Sequence, residues 1–128
     1  MAPPEKTEPL SVCVDADVLI AGLLSRTGAS HAVLVLGEVG LLRLVLPEAA
    51  VAEVRRNLAA KLPEAAPLFE EFLRAVPVEI HRAAAIGAGA RLLVTHNVRH
   101  FRSGEGVRIV RPRTLIEEAR GWMASFGT

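Results

Sequence analysis

The chain has one cysteine, Cys13, and so lacks the partner that an intrachain disulfide needs; a disulfide framework is excluded. No apolar run approaches the roughly 20 residues that a bilayer-spanning helix requires. Residues 1–9 hold no apolar segment behind a basic one, so a signal peptide is not expected. These absences lead to the expectation of a cytoplasmic protein with a reduced thiol and no membrane partner. Tyrosine and glutamine are missing, aromatics make up 4% of the residues, and the only asparagines are Asn57 and Asn97. Neither G-x-x-x-x-G-K-[ST] nor G-x-G-x-x-G occurs, so a nucleotide-cradling glycine loop finds no support. The low hydrophobicity and high net charge of a disordered chain are also absent: 51% of the 128 residues are hydrophobic and the net charge is +1.

What is present suits one compact domain. A chain of this length can bury roughly two thirds of its unfolded surface, and no repeat, low-complexity tract or linker divides it. Residues 1–9, with three prolines, read as a flexible leader, and residues 10–128 as the domain. The charge is uneven. Residues 1–80 carry 7 Lys/Arg and 11 Asp/Glu, a net of −4, whereas residues 81–128 carry 8 Arg and 3 Glu, a net of +5. A basic C-terminal third beside an acidic part can neutralise phosphates on one side and hold cations on the other. Mutual complementation within the fold explains the same asymmetry.

Hydrophobic periodicity predicts alternating strands and helices. Strands are expected at Ser11–Val14, Leu41–Leu46, Val76–Ile80, Leu92–Thr95 and Val107–Val110. Helices are expected at Asp17–Leu24, His31–Val39, Pro47–Lys61, Pro63–Arg74 and Pro112–Ala124, with a short helical stretch at Arg82–Ile86 and a turn at Gly104–Gly106. The strands are near-continuous apolar runs, as expected of a mostly parallel sheet covered on both faces. The fold class is therefore α/β, a three-layer α/β/α sandwich. Such sheets bind ligands at the carboxyl ends of their strands.

The few short polar residues gather at those ends. Asp15 and Asp17, the only aspartates, follow the first strand. A carboxylate there is costly unless it is hydrogen-bonded, paired or holding a cation. Asp17 reads as the N-cap of the next helix; Asp15 then either accepts backbone N–H bonds in the turn or is available to hold a cation. Glu53 flanks the apolar stripe of the helix after the second strand, where it either leans toward the sheet edge or pairs with Arg56 or Asn57. Glu48 is explained by the helix dipole. Thr95, His96 and Asn97 follow the fourth strand. Asn97 offers a neutral oxygen ligand or a phosphate donor. His96 and His100, four apart, suit a metal pair on a helix or a solvated surface, and His31 and His81 read as surface or cap residues. Arg99, Arg102, Arg111 and Arg113 are candidates for contacts to a phosphate backbone. Carboxylate oxygens at strand ends suit Mg²⁺ or Mn²⁺, and beside a basic patch they suit metal-assisted hydrolysis of a phosphodiester.

Taken in order, the segments VDADVLIAGLL (residues 14–24), LPEAAVAEVRRNL (46–58) and AGARLLVTHNVRHF (88–101) resemble the PIN domain, and within it the VapC-like toxins of toxin–antitoxin pairs. The resemblance covers roughly residues 11–115. It implies a three-layer fold with a central parallel sheet and a Mg²⁺- or Mn²⁺-dependent endoribonuclease acting on single-stranded RNA. It implies Asp15 and Glu53 as the metal ligands and first two acidic positions, Thr95 as the small hydroxyl residue, and Asn97 at the fourth position of the catalytic set. It also implies RNA as substrate, an antitoxin as protein partner and a homodimer. The chain departs from the family where an aspartate usually opens a later helix: His81-Arg82-Ala83 carries no acid there, and Glu79 lies inside the expected strand. A catalytically inactive RNA- or protein-binding domain is therefore the competing expectation. Val14-Asp15-Ala16-Asp17-Val18 also matches the opening of a haloacid-dehalogenase-type phosphotransferase, but that chemistry asks for further aspartates and a placed lysine; no Asp follows Asp17, and Lys61 is the only lysine beyond it.

Overall fold

The computed structural model describes residues 9–82, 89–100 and 107–126. Five strands, β1 (Leu10–Val14), β2 (Leu42–Pro47), β3 (Val78–His81), β4 (Leu92–Val94) and β5 (Arg108–Val110), form one sheet. Five helices accompany them: α1 (Ala16–Leu24), α2 (Ala29–Glu38), α3 (Glu48–Lys61), α4 (Ala66–Ala75) and α5 (Pro112–Phe126). The expected helix at Arg82–Ile86 and the turn at Gly104–Gly106 lie almost wholly outside the described residues. Several starts differ from expectation: α1 begins one residue early at Ala16, α3 one residue late at Glu48 and β3 two residues late at Val78. Helix α2 begins two residues early, at Ala29, because the chain turns at Gly28 with a φ of 127° that glycine adopts without strain. Pro63–Ala65 forms a separate 3-10 turn before α4.

The sheet order is β3-β2-β1-β4-β5 and every pairing is parallel. Parallel strands joined by helical crossovers bury both faces, and the residues alternate accordingly. Val12, Val14, Leu44, Leu46, Leu92 and Val94 point into the larger core with Val18 and Leu19 of α1, Val33 of α2, Val54 of α3, Phe69 of α4 and Leu115 of α5. Cys13 and Val45 point the other way, into a smaller buried set with Ala90 and Val107. The architecture is the α/β, three-layer α/β/α sandwich expected. Each fully buried Leu, Val or Phe contributes about 1.5–3 kcal/mol of transfer free energy, so the strands are pinned in register from both sides. No single described helix is long and apolar enough to cross a membrane.

One feature of this order positions the chemistry. The chain builds β1, β2 and β3 outward in one direction, then returns to place β4 and β5 on the opposite flank of β1. The reversal lies between β1 and β4, where connections leave in opposite directions and open a crevice at the carboxyl ends. Asp15 follows β1 directly, and Thr95 follows β4.

Candidate functional site

The crevice is floored by backbone. The Asp15 N–H donates to the Val94 carbonyl at 3.0 Å, and the Thr95 N–H donates to the Val110 carbonyl at 3.0 Å. The pairing of β1, β4 and β5 thus continues one residue past the strands and holds the two side chains beside each other. Thr95 is wholly buried, whereas Asp15 and Asp17 are half-buried.

Asp15, not Asp17, is the N-cap of α1, with extended backbone and Oδ1 accepting the Ala16 N–H at 2.9 Å. The expectation misplaced the cap because α1 starts immediately after the strand, with a single residue between them. Asp17 then sits in the first turn and is free to reach across the crevice. Its Oδ2 accepts the His96 N–H at 3.1 Å and lies 3.2 Å from Thr95 Oγ1. Thr95 Oγ1 is 2.9 Å from Asp15 Oδ2 and accepts the Asn97 N–H at 3.1 Å. Residues 78 and 80 positions apart in the chain therefore meet on one oxygen. Asp17 is the member that the sequence reading left out of the site. Its signal was the spacing Asp-x-Asp: one cap suffices, so the second carboxylate is surplus.

The electrostatics follow from counting protons. Thr95 has one hydroxyl hydrogen and two carboxylates within reach, so it satisfies one at a time. No described Lys, Arg or His forms an ion pair with either aspartate. Two carboxylates sharing one hydroxyl, with oxygen as the donor atom throughout, fit a hard divalent cation such as Mg²⁺ or Mn²⁺. Among the described residues, no group of three or more His, Cys, Asp and Glu side chains gathers into a metal-holding set. Glu53 is exposed on α3, and Asn97 is exposed with only its backbone tied into the crevice.

The neighbouring acids and bases have other tasks. Glu79 forms an ion pair with Arg43 of β2 and accepts from His81 Nε2 at 2.8 Å. The His81 hydrogen bond, and then Arg43, hold its carboxyl below the usual carboxylate range. His81 is thus partnered with Glu79 rather than serving as a cap. His96 and His100 do not share an α-helical face: only Val98–His100 is helical, as a three-residue 3-10 turn. The His96 ring instead meets Ser30 Oγ, with Nε2 at 2.8 Å. Arg99, Arg111 and Arg113 are exposed, and Arg102 lies outside the described residues. On the far side of β1, burial and then the Asp15 carboxylate push the Cys13 thiol up to about 11.

A cleft of about 480 Å³ adjoins the crevice at His96, lined from α1, the start of α2 and the start of α5. Compared with known proteins, the chain matches no family model and no curated protein.

Proposed function

We propose that the chain is a metal-dependent endoribonuclease of the PIN-like, VapC-toxin type that cleaves single-stranded RNA. The observation that carries this reading is the convergence of Asp15, Asp17 and Thr95 on one hydroxyl at the reversal point of the sheet. Asp15 and Asp17 would hold a Mg²⁺ or Mn²⁺ ion; Glu53, exposed on α3, does not join them in a three-carboxylate set. When bound, such an ion supplies charge neutralisation at the phosphodiester. Thr95 holds the two carboxylates at one rim, and the Asn97 N–H in turn fixes the Thr95 oxygen. The Asn97 side chain, exposed after β4, would hydrogen-bond a water or a phosphate oxygen. Arg99, Arg111 and Arg113 supply the phosphate contacts that position an RNA strand without reading its sequence. An antitoxin that covers this rim and a homodimer belong to the same reading.

The test incubates the full chain with single-stranded RNA and Mn²⁺ beside Asp15→Asn, which keeps a good cap while removing the charge. Cleavage should fall by about 100-fold or more, as when an electrostatic catalytic group is removed. Equal cleavage by both proteins overturns the reading. A second reading, an RNA- or protein-binding domain without catalysis, draws on the hydrogen bonds that already engage both aspartates. It predicts that neither protein cleaves and that RNA binding survives Asp15→Asn.

A further inference from the structure

The cleft beside the acidic crevice has the opposite character. Arg111 and Arg113, flanking the first residue of α5, line it with His31 of α2 and His96 of the turn after β4, and no acidic residue lines it. These four residues come from three separate stretches of chain, so their meeting is a product of the fold. None of the ion pairs found among the described residues uses Arg111 or Arg113, although Arg108, three residues earlier, is paired with Glu118. His31 Nδ1 donates to the Gly22 carbonyl at 2.9 Å, which fixes its tautomer and leaves Nε2 unassigned. Ser30, 7% exposed, bonds the His96 ring and so orients it within the cleft.

We infer that this cleft is a binding site for a phosphate group. Two arginines at one cleft supply several N–H donors without a carboxylate to compete, and guanidinium matches phosphate oxygens in pairs. The Thr27 hydroxyl adds a neutral donor, and the first-turn N–H groups of α2 have no side-chain cap. At about 480 Å³ the cleft falls within the usual range of small-molecule sites, so it admits a phosphate together with an attached sugar. His96 belongs to both sites: its ring lines the cleft while its backbone N–H holds Asp17. The inference shares Arg111 and Arg113 with the RNA contacts proposed above but stands on the lining of the cleft itself.

The experiment titrates the full chain with inorganic phosphate at low salt, without metal or RNA, following heat and the imidazole proton resonances. Saturable single-site binding is expected, with the shifts confined to His31 and His96 and absent from His81. Arg111→Ala with Arg113→Ala should weaken binding roughly tenfold or more, whereas Arg120→Ala, exposed elsewhere on α5, should leave it unchanged. Both cleft arginines are exposed, so their removal spares the core. Asp15→Asn should retain the site, which separates its failure from failure of the nuclease reading. Repeating the titration with a 5′-phosphorylated and a 5′-hydroxyl dinucleotide distinguishes a free or terminal phosphate from a backbone diester. Absence of saturable binding, histidine shifts elsewhere, or equal loss in Arg120→Ala overturns the inference.

Discussion

At the residue scale, the strongest dependence is on one buried hydroxyl. Thr95 links Asp15, Asp17 and Asn97 through one oxygen. Thr95→Val conserves volume but removes the one hydroxyl hydrogen that the two carboxylates share and leaves the Asn97 N–H short of a partner. Denaturant unfolding should show a loss of about 2–3 kcal/mol, while Thr95→Ser, which keeps the hydroxyl, loses about 1 kcal/mol with its methyl group. Equal losses would show that packing rather than the hydroxyl matters. Cys13 gives a pH signature. Its thiol titrates near its ordinary value of 9.0 in the unfolded chain and at about 11 when folded. The folded state therefore holds the proton more tightly, and the stabilisation is complete below pH 9 and lost as pH rises through 11. Unfolding free energy should fall by on the order of 2 kcal/mol across that window, and Cys13→Ala should flatten the fall. With no tyrosine in the chain, few other groups titrate there.

At the element scale, the contact between α1 and α2 sets the second site. Gly22 of α1 lets the start of α2 approach so closely that an added Cβ would lie 2.9 Å from the Ser30 carbonyl oxygen and 2.7 Å from Leu34 Cδ1. The Gly22 carbonyl also holds His31. Alanine would gain about 1 kcal/mol of helix propensity and lose more to displacing backbone that cannot rotate away. Gly22→Ala should lower stability by a net ~1–2 kcal/mol and move the His31 resonances. An unchanged melting temperature would show that the helices separate freely. The periodicity of α1 marks Val18 and Leu19 as core positions, and both are fully buried. What it could not show is that α1 begins at Ala16, because a one-residue connection between strand and helix is set by the packing of both elements and not by either alone.

At the scale of the whole molecule, the charge asymmetry becomes spatial. The acidic pair lies at the end of β1, and the arginines after β4 and β5 lie on the adjoining flank. If RNA lies across both, its affinity should fall linearly with the logarithm of salt concentration. Each of Arg99→Ala, Arg111→Ala and Arg113→Ala should reduce that slope by about 1, which a filter-binding series at several salt concentrations measures. An unchanged slope would place the strand elsewhere. The five-stranded order also explains why the polar residues concentrate where they do. Most positions of the central strands β1, β2 and β4 are buried, and an unpartnered polar side chain there would go unsatisfied; Arg43 and Glu79 on β2 and β3 satisfy each other.

The sequence by itself determined the fold class, the five strands and the position of Asp15, Thr95 and Arg111 directly after a strand. Those properties follow from local patterns: apolar runs, proline and glycine breaks, and helical spacing. It also pointed to Asp15, Thr95 and Arg111 before their surroundings were visible. Tertiary structure alone decided which aspartate caps α1, that Asp17 joins Thr95, that Glu79 is taken up by Arg43 and His81, and that two histidines and two arginines share a cleft. Each of these depends on contacts between segments distant in the chain. Such contacts are set by strand order and helix approach, which the residues of neither segment encode on their own.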